Sequence, residues 1–135
     1  MAVRRLGVIG AGVSGGGIAQ VVAQSGYEVQ LVDLGQAQLN AALRTIRSNL
    51  NRAVEKARIG SDERDRILAR ISGSTSLADV SNADLVIESI TEDFDAKATL
   101  LGNLDRTCRP ETIFASNTSC LSVTRLAAST RRPSR

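Results

Sequence analysis

Short apolar runs alternate along the chain with longer stretches whose apolar residues recur every three or four positions. Arg4 to Ile9 is aliphatic and β-branched, the pattern of a strand buried on both faces. Val13 to Ser25 reads as a helix with Ile18, Val21 and Val22 on one face, and Gly26 stands where it should end. Tyr27 to Val32 is a second strand, closing on Asp33. From Gln36 the period changes. Leu39, Leu43, Ile46, Leu50, Ala53 and Ala57 predict a long helix to about Arg58, roughly 35 Å in length. Gly60 breaks it, and Ser61 is expected to cap a second helix whose first turn carries Asp62 and Glu63.

After Ile71, "SGSTSLADV" predicts a short strand and a loop, and "ADLVIES" a third strong apolar strand. Phe94 to Thr107 is helical, Thr112 to Ser116 another strand, and Ser122 to Ser129 the start of a helix. Strands alternating with helices imply an α/β fold of Rossmann-like type: a parallel sheet with helices on both faces. The long helical insertion after the second strand occupies residues 36–72 of a single domain spanning 1–135. No internal repeat or low-complexity linker interrupts it.

The first strand runs into "GAGVSGGGIAQ", where Gly10, Gly12 and Gly15 match G-x-G-x-x-G. That spacing is weak alone, but here a strand precedes it, a helix opens inside it, and Asp33 ends the next strand. Gly10 suits the tight turn, Gly12 the close passage of a pyrophosphate, and Gly15 the packing of helix on strand. Val13 and Ser14 open the helix whose positive end would meet the phosphates. Asp33 is placed to accept from an adenosine ribose diol, and no basic residue follows it until Arg44, which favours NAD over NADP. A plain structural turn, or a loop for a flavin or a methyl donor, are the competing readings.

Composition narrows the function classes. Hydrophobic residues make up 42% and charged residues 23%, ordinary for a globular domain. The formal net charge is +3, but basic residues are spread along the chain and aromatics reach only 2%, which argues against nucleic acid as a partner. The apolar runs are too short for a membrane span. Met1 to Arg5 leads directly into a strand, so no export signal is expected. Cys108 and Cys120 show no metal-type pairing and read as reduced thiols, which favours the cytoplasm; no metal site is expected.

Three stretches, "GVIGAGVSGGGIAQVVAQSGYEVQLVD", "DLVIESITEDFDAKATLLGNLD" and "TIFASNTSCLS", together resemble the NAD-binding N-terminal domain of the 3-hydroxyacyl-CoA dehydrogenase family, of the 3-hydroxybutyryl-CoA dehydrogenase kind. The resemblance covers essentially the whole chain and includes the helical insertion. It implies NAD-dependent oxidation of a 3-hydroxyacyl-CoA to the 3-ketoacyl-CoA, with an acyl-CoA as the partner. By the same resemblance, Glu92 and Lys97 match positions contacting the nicotinamide half of the cofactor. Asn117 and Ser119 match residues at the mouth of the active site, Ser119 being the serine that hydrogen-bonds the substrate's reacting oxygen. Lys56 matches a position that meets coenzyme A, with Asn49 nearby and Arg52 on the same helix face. Cys120 stands where the family commonly has a second serine, and Ser14 where relatives often have methionine.

There is no histidine anywhere in the chain. In the family a histidine, oriented by a glutamate, exchanges the hydroxyl proton, and it follows shortly after the "RP" found here at Arg132 and Pro133. The histidine, the remaining strands and the helical C-terminal domain are expected to lie outside these residues, so the chain alone is expected to be inactive. A non-catalytic NAD-binding module, or a dehydrogenase of a related carnitine- or gulonate-type 3-hydroxy compound, are the alternatives. The strand Thr112–Ser116 is expected to leave an exposed sheet edge through which copies could self-associate.

Overall fold

Each strand is short and apolar, and each is followed by a helix or turn that returns the chain to the same end of the sheet. The computed structural model describes residues 2–135. In order, the elements are β1 (Arg5–Ile9), α1 (Val13–Gln24), β2 (Glu28–Val32), α2 (Gln36–Glu55), α3 (Ser61–Ala69), β3 (Ile71–Ser74), a 3-10 turn (Leu77–Val80), β4 (Leu85–Glu88), α4 (Phe94–Thr107), β5 (Ile113–Ser116) and α5 (Val123–Ala127). The five strands form one sheet in the order β3-β2-β1-β4-β5. Every pairing is parallel. The strand order therefore reverses between β1 and β4, and a crevice opens there at the carboxyl ends of the strands, where ligands bind in open α/β sheets.

Alternation along the strands divides the core. Val8, Val29 and Leu31 face Leu39, Ile46, Leu50 and Ile67 of α2 and α3. Ile9, Val32 and Val86 face Leu101, Leu104 and Leu126 of α4 and α5. Among the described residues, no helix is long and apolar enough to cross a membrane.

Several local readings change. Helix α1 buries Gly15, Gly16, Ala19 and Ala23, while Val21 is 62% exposed instead of facing the core. Small residues let α1 approach the sheet more closely than a valine face would allow. Helix α2 ends at Glu55, short of Arg58, because Ala57 takes a left-handed conformation with φ of 54°. The amides of Ala57 and Arg58 then donate to the carbonyls of Val54 and Ala53, closing a Schellman turn with alanine in the usual glycine position. Gly60, not Ser61, is the N-cap of α3. Ser122 caps α5, accepting from the Arg125 amide at 3.3 Å.

The outer edge of β5 is not left bare. The Phe114 amide donates to the Arg135 carbonyl at 2.7 Å. Arg132 fixes the tail that brings Arg135 there. Its guanidinium donates to the Asp105 carboxylate at 2.6 Å and to the carbonyls of Asp105 and Arg109 at 2.9 and 2.6 Å. It also lies 4.9 Å from the centre of the Phe114 ring. The bond to the Asp105 carbonyl gives a partner to one of the carbonyls left open in the last turn of α4.

Candidate functional site

On the β1 side the crevice is shaped by glycines. Gly10 turns the chain with φ of 102°, and its amide donates to the Val32 carbonyl at 2.8 Å. A Cβ there would lie 2.4 Å from the Ser89 carbonyl oxygen, and one at Gly15 would lie 1.7 Å from the Gly10 oxygen. Both glycines are therefore demanded by the fold itself. Gly12 is different, because a Cβ there meets nothing within 4 Å. It is the N-cap of α1, has ordinary extended backbone, and no side chain caps the helix. Val13 and Ser14 begin the first turn and are exposed, leaving the helix's positive end open toward the crevice.

Asp33 ties this loop to the next. Its Oδ2 accepts from the Ala11 amide at 2.9 Å and its Oδ1 from the Gly35 amide at 2.8 Å. Each oxygen keeps a further lone pair for a ligand hydroxyl. Beside it lies a cavity of about 340 Å³ lined by Ile9, Val32, Leu34, Ile90 and Leu100 among others, apolar enough for a purine. Leu34, 84% exposed, stands at its rim. An uncapped helix start, an acid fixed beside it and an apolar slot next to the acid suit the phosphates, ribose and base of a dinucleotide in turn.

On the β4 side the site is built from charged side chains. Glu88 ends β4 inside the molecule, fully buried, and the ammonium of Lys97 from α4 donates to both its oxygens at 2.8 Å. Lys97 also donates to the Ile90 carbonyl at 3.3 Å. Ser116 donates to Glu88 Oε1, and the Ile90 amide donates to Oε2 at 3.2 Å. Lys97, expected at the nicotinamide half of the cofactor, is thus held inside the molecule by Glu88. With no exposed surface, its cation neutralises Glu88 and faces no ligand space, because a carboxylate buried in an apolar strand needs a counter-charge.

Glu92 is exposed, and its carboxylate reaches the loop after β5. The Thr118 hydroxyl donates to Oε1 at 2.6 Å and the Ser119 amide to Oε2 at 3.4 Å. The Thr118 bond holds Glu92 below the ordinary carboxylate range, against the opposing effect of burial and with the Ser119 amide and the Lys97 charge adding to it. The neighbouring Asp93 caps α4, accepting from the Ala96 amide at 2.8 Å. Asn117 is anchored at both ends, its amide to the Glu88 carbonyl at 2.9 Å and its side chain to Ser89 Oγ at 3.1 Å. Ser119 is exposed, with its Oγ 3.6 Å from Cys120 Sγ.

The fold thus brings the predicted residues into two groups, Gly10 to Gly15 with Asp33, and Glu92 with Asn117 and Ser119. Lys56 stands apart. It is the exposed C-cap of α2 and forms no side-chain hydrogen bond or ion pair among the described residues. Asn49 bonds Gln20 of α1 at 3.0 Å, beside a groove lined by Gly12, Val13, Gly17, Ala41 and Thr45. Sequence reasoning missed Glu88 and Thr118. An acid inside the apolar run "LVIES" was the available signal for Glu88; Thr118 gave none.

Comparison with known proteins places these features. The family model described as "3-hydroxyacyl-CoA dehydrogenase, NAD binding domain" matches residues 5–135. The chain is similar to a probable 3-hydroxybutyryl-CoA dehydrogenase of Bacillus subtilis, 41% identical over 135 residues that make up 100% of this chain and 47% of the relative. A 3-hydroxybutyryl-CoA dehydrogenase of Bradyrhizobium diazoefficiens is 41% identical over 133 residues, 98% of this chain and 45% of the relative. Among solved structures, the (S)-3-hydroxybutyryl-CoA dehydrogenase of Ralstonia eutropha superposes with a TM-score of 0.94 at 40% identity, covering 98% of this chain and 47% of that one. The chain spans about half the length of the curated relatives it matches.

Proposed function

Because the chain belongs to the 3-hydroxyacyl-CoA dehydrogenase family, as its NAD-binding domain, we propose that it supplies the dinucleotide half of an enzyme oxidising the 3-hydroxyl of a 3-hydroxyacyl-CoA to the ketone. The observation that carries this reading is Gly12: the fold has no steric need of a glycine there, whereas a pyrophosphate passing the start of α1 does. NAD bound there would supply the acceptor for the hydride of the carbinol carbon. The open amides at Val13, Ser14 and Gly15 hold the phosphates, and Asp33 accepts from the ribose diol. Glu92 and Asn117 border the nicotinamide end, and Ser119 meets the substrate oxygen. Lys97 acts through Glu88 as a positioning residue, not as a ligand.

Charge supports a phosphate-bearing substrate. Residues 36–72 carry eight basic side chains (Arg44, Arg47, Arg52, Lys56, Arg58, Arg64, Arg66, Arg70) against four acids (Glu55, Asp62, Glu63, Asp65), so the excess of the whole chain lies in the insertion. Lys56 and Arg52 are the residues we assign to coenzyme A. The substrate chain length is not set by these residues, and with no histidine among them the chain alone does not turn over. The free thiols of Cys108 and Cys120 support a cytoplasmic setting. Self-association through β5 is confined to the part of its edge that Arg135 does not cover.

Calorimetric titration of the chain with NADH, and with NADPH as control, tests the cofactor assignment. NADH is expected to bind at least about tenfold more tightly, with Asp33→Asn closing most of the gap. Failure of both to bind would overturn it.

A further inference from the structure

The loops after β4 and β5 meet across the crevice, and the residue that joins them has no place in the reading above. Thr118 uses its hydroxyl twice. It donates to Glu92 Oε1 at 2.6 Å, and the same oxygen accepts from the Leu121 amide at 3.1 Å. One side chain thereby closes the local turn before α5 and links it to a residue 26 positions earlier. Asn117 has its own anchors in Glu88 and Ser89. Among the described residues, Ser119 has none beyond Glu92 and the neighbouring Cys120. Where Ser119 points is therefore decided by the Thr118–Glu92 contact.

We propose that Thr118 is a positioning residue for Ser119, and that Glu92 is the shared group through which cofactor binding and the position of the serine loop are coupled. Oε1 is engaged by Thr118, while Oε2 receives only the long bond from Ser119, so lone pairs remain for a ligand hydroxyl on the same carboxylate. A cofactor bound there reads the same group that holds the loop. The inference rests on the assignment of Glu92 to the nicotinamide end and of Ser119 to the substrate oxygen. Glu92 is exposed, so losing its threonine partner leaves it hydrated and the fold intact.

The test compares the 135-residue chain with its Thr118→Val and Thr118→Ser variants. Amide hydrogen exchange is followed with and without NADH, alongside NADH titration. Without cofactor, Thr118→Val is expected to speed exchange at Ser119 and Leu121 about tenfold, the loss of one hydrogen bond, and to leave β4 unchanged. Thr118→Ser should restore the slow exchange. NADH should slow these amides further in the unaltered and serine chains but not in the valine chain, with its affinity changed less than about threefold. Unchanged exchange in Thr118→Val, or NADH protection that persists in it, overturns the proposal. If NADH fails to bind the unaltered chain while Thr118→Val still loosens the loop, the cofactor reading and the coupling fall and the positioning of Ser119 stands.

Discussion

On the β1–β2 side of the crevice, the groups that shape the site are main-chain atoms, tied by the single carboxylate of Asp33 and made room for by the side chains left out at Gly10, Gly12 and Gly15. On the β4–β5 side, the shaping groups are Glu88, Lys97, Glu92 and Thr118, joined across loops and a buried ion pair. The first side is local: its parts lie within 24 residues of one another, from Gly10 to Asp33. The second gathers residues from a strand, a helix and two loops. Bulk endangers the first, and loss of charge balance the second.

The sharpest way to break the comparison is to add one methyl group at each glycine. Gly15→Ala places a carbon 1.7 Å from a backbone oxygen, and Gly10→Ala combines a 2.4 Å clash with a φ of 102°. Neither backbone can yield without moving α1 off the sheet. Both variants are expected to lose the folded state outright, a cost of more than about 4 kcal/mol, visible as loss of a cooperative thermal transition. Gly12→Ala should melt within a few degrees of the unaltered chain yet lose NADH binding by tenfold or more. A Gly12→Ala chain that binds NADH normally would remove the main support for the phosphate site.

The next effect tests the other side. Lys97→Met leaves Glu88 buried without its cation, and Glu88→Gln alone leaves the ammonium without its anion. Each single change is expected to cost about 3–5 kcal/mol in urea unfolding, and the two together markedly less than their sum, because no charge is then left buried. Additive losses would mean that the two side chains contribute through packing and not through their charges.

The same contrast explains what was legible in the sequence. Strands, their parallel arrangement and the glycine turn follow from periodicity and spacing, because each is decided by neighbours in the chain. Of the expected face of α1, Ile18 and Val22 do pack against the core, but Val21 turns outward, because the helix approaches the sheet mainly through Gly16, Ala19 and Ala23. The end of α2 was misplaced because Ala57 adopts a conformation more usual for glycine. The Glu88–Lys97 pair was not legible, because the two residues lie on different elements and the pairing exists only once α4 docks on β4. Thr118 was invisible for the same reason: its role depends on two loops meeting.

The smallest effect extends the charge side of the comparison away from the crevice. Asp105, near the end of α4, accepts from the Arg131 amide and guanidinium at 3.1 and 3.0 Å and from Arg132 at 2.6 Å. Burial pushes its carboxyl up, but the bonds from Arg131 and the charge of Arg132 outweigh it and bring it down to about 2 from an ordinary 3.8. A carboxylate whose folded value is depressed contributes stability above its unfolded value and loses it as pH falls through the folded one. The contribution of Asp105, about 1–2 kcal/mol, should therefore be intact above pH 4 and fade between about 3.8 and about 2. Other carboxylates titrate in this window, so the informative quantity is the difference between the unaltered chain and Asp105→Asn in urea unfolding. That difference is expected to be largest near pH 5 and to shrink toward pH 2. A gap that does not change with pH would show that Asp105 holds the tail by its shape and hydrogen bonds, and that the charge-built side of the molecule stops at the crevice.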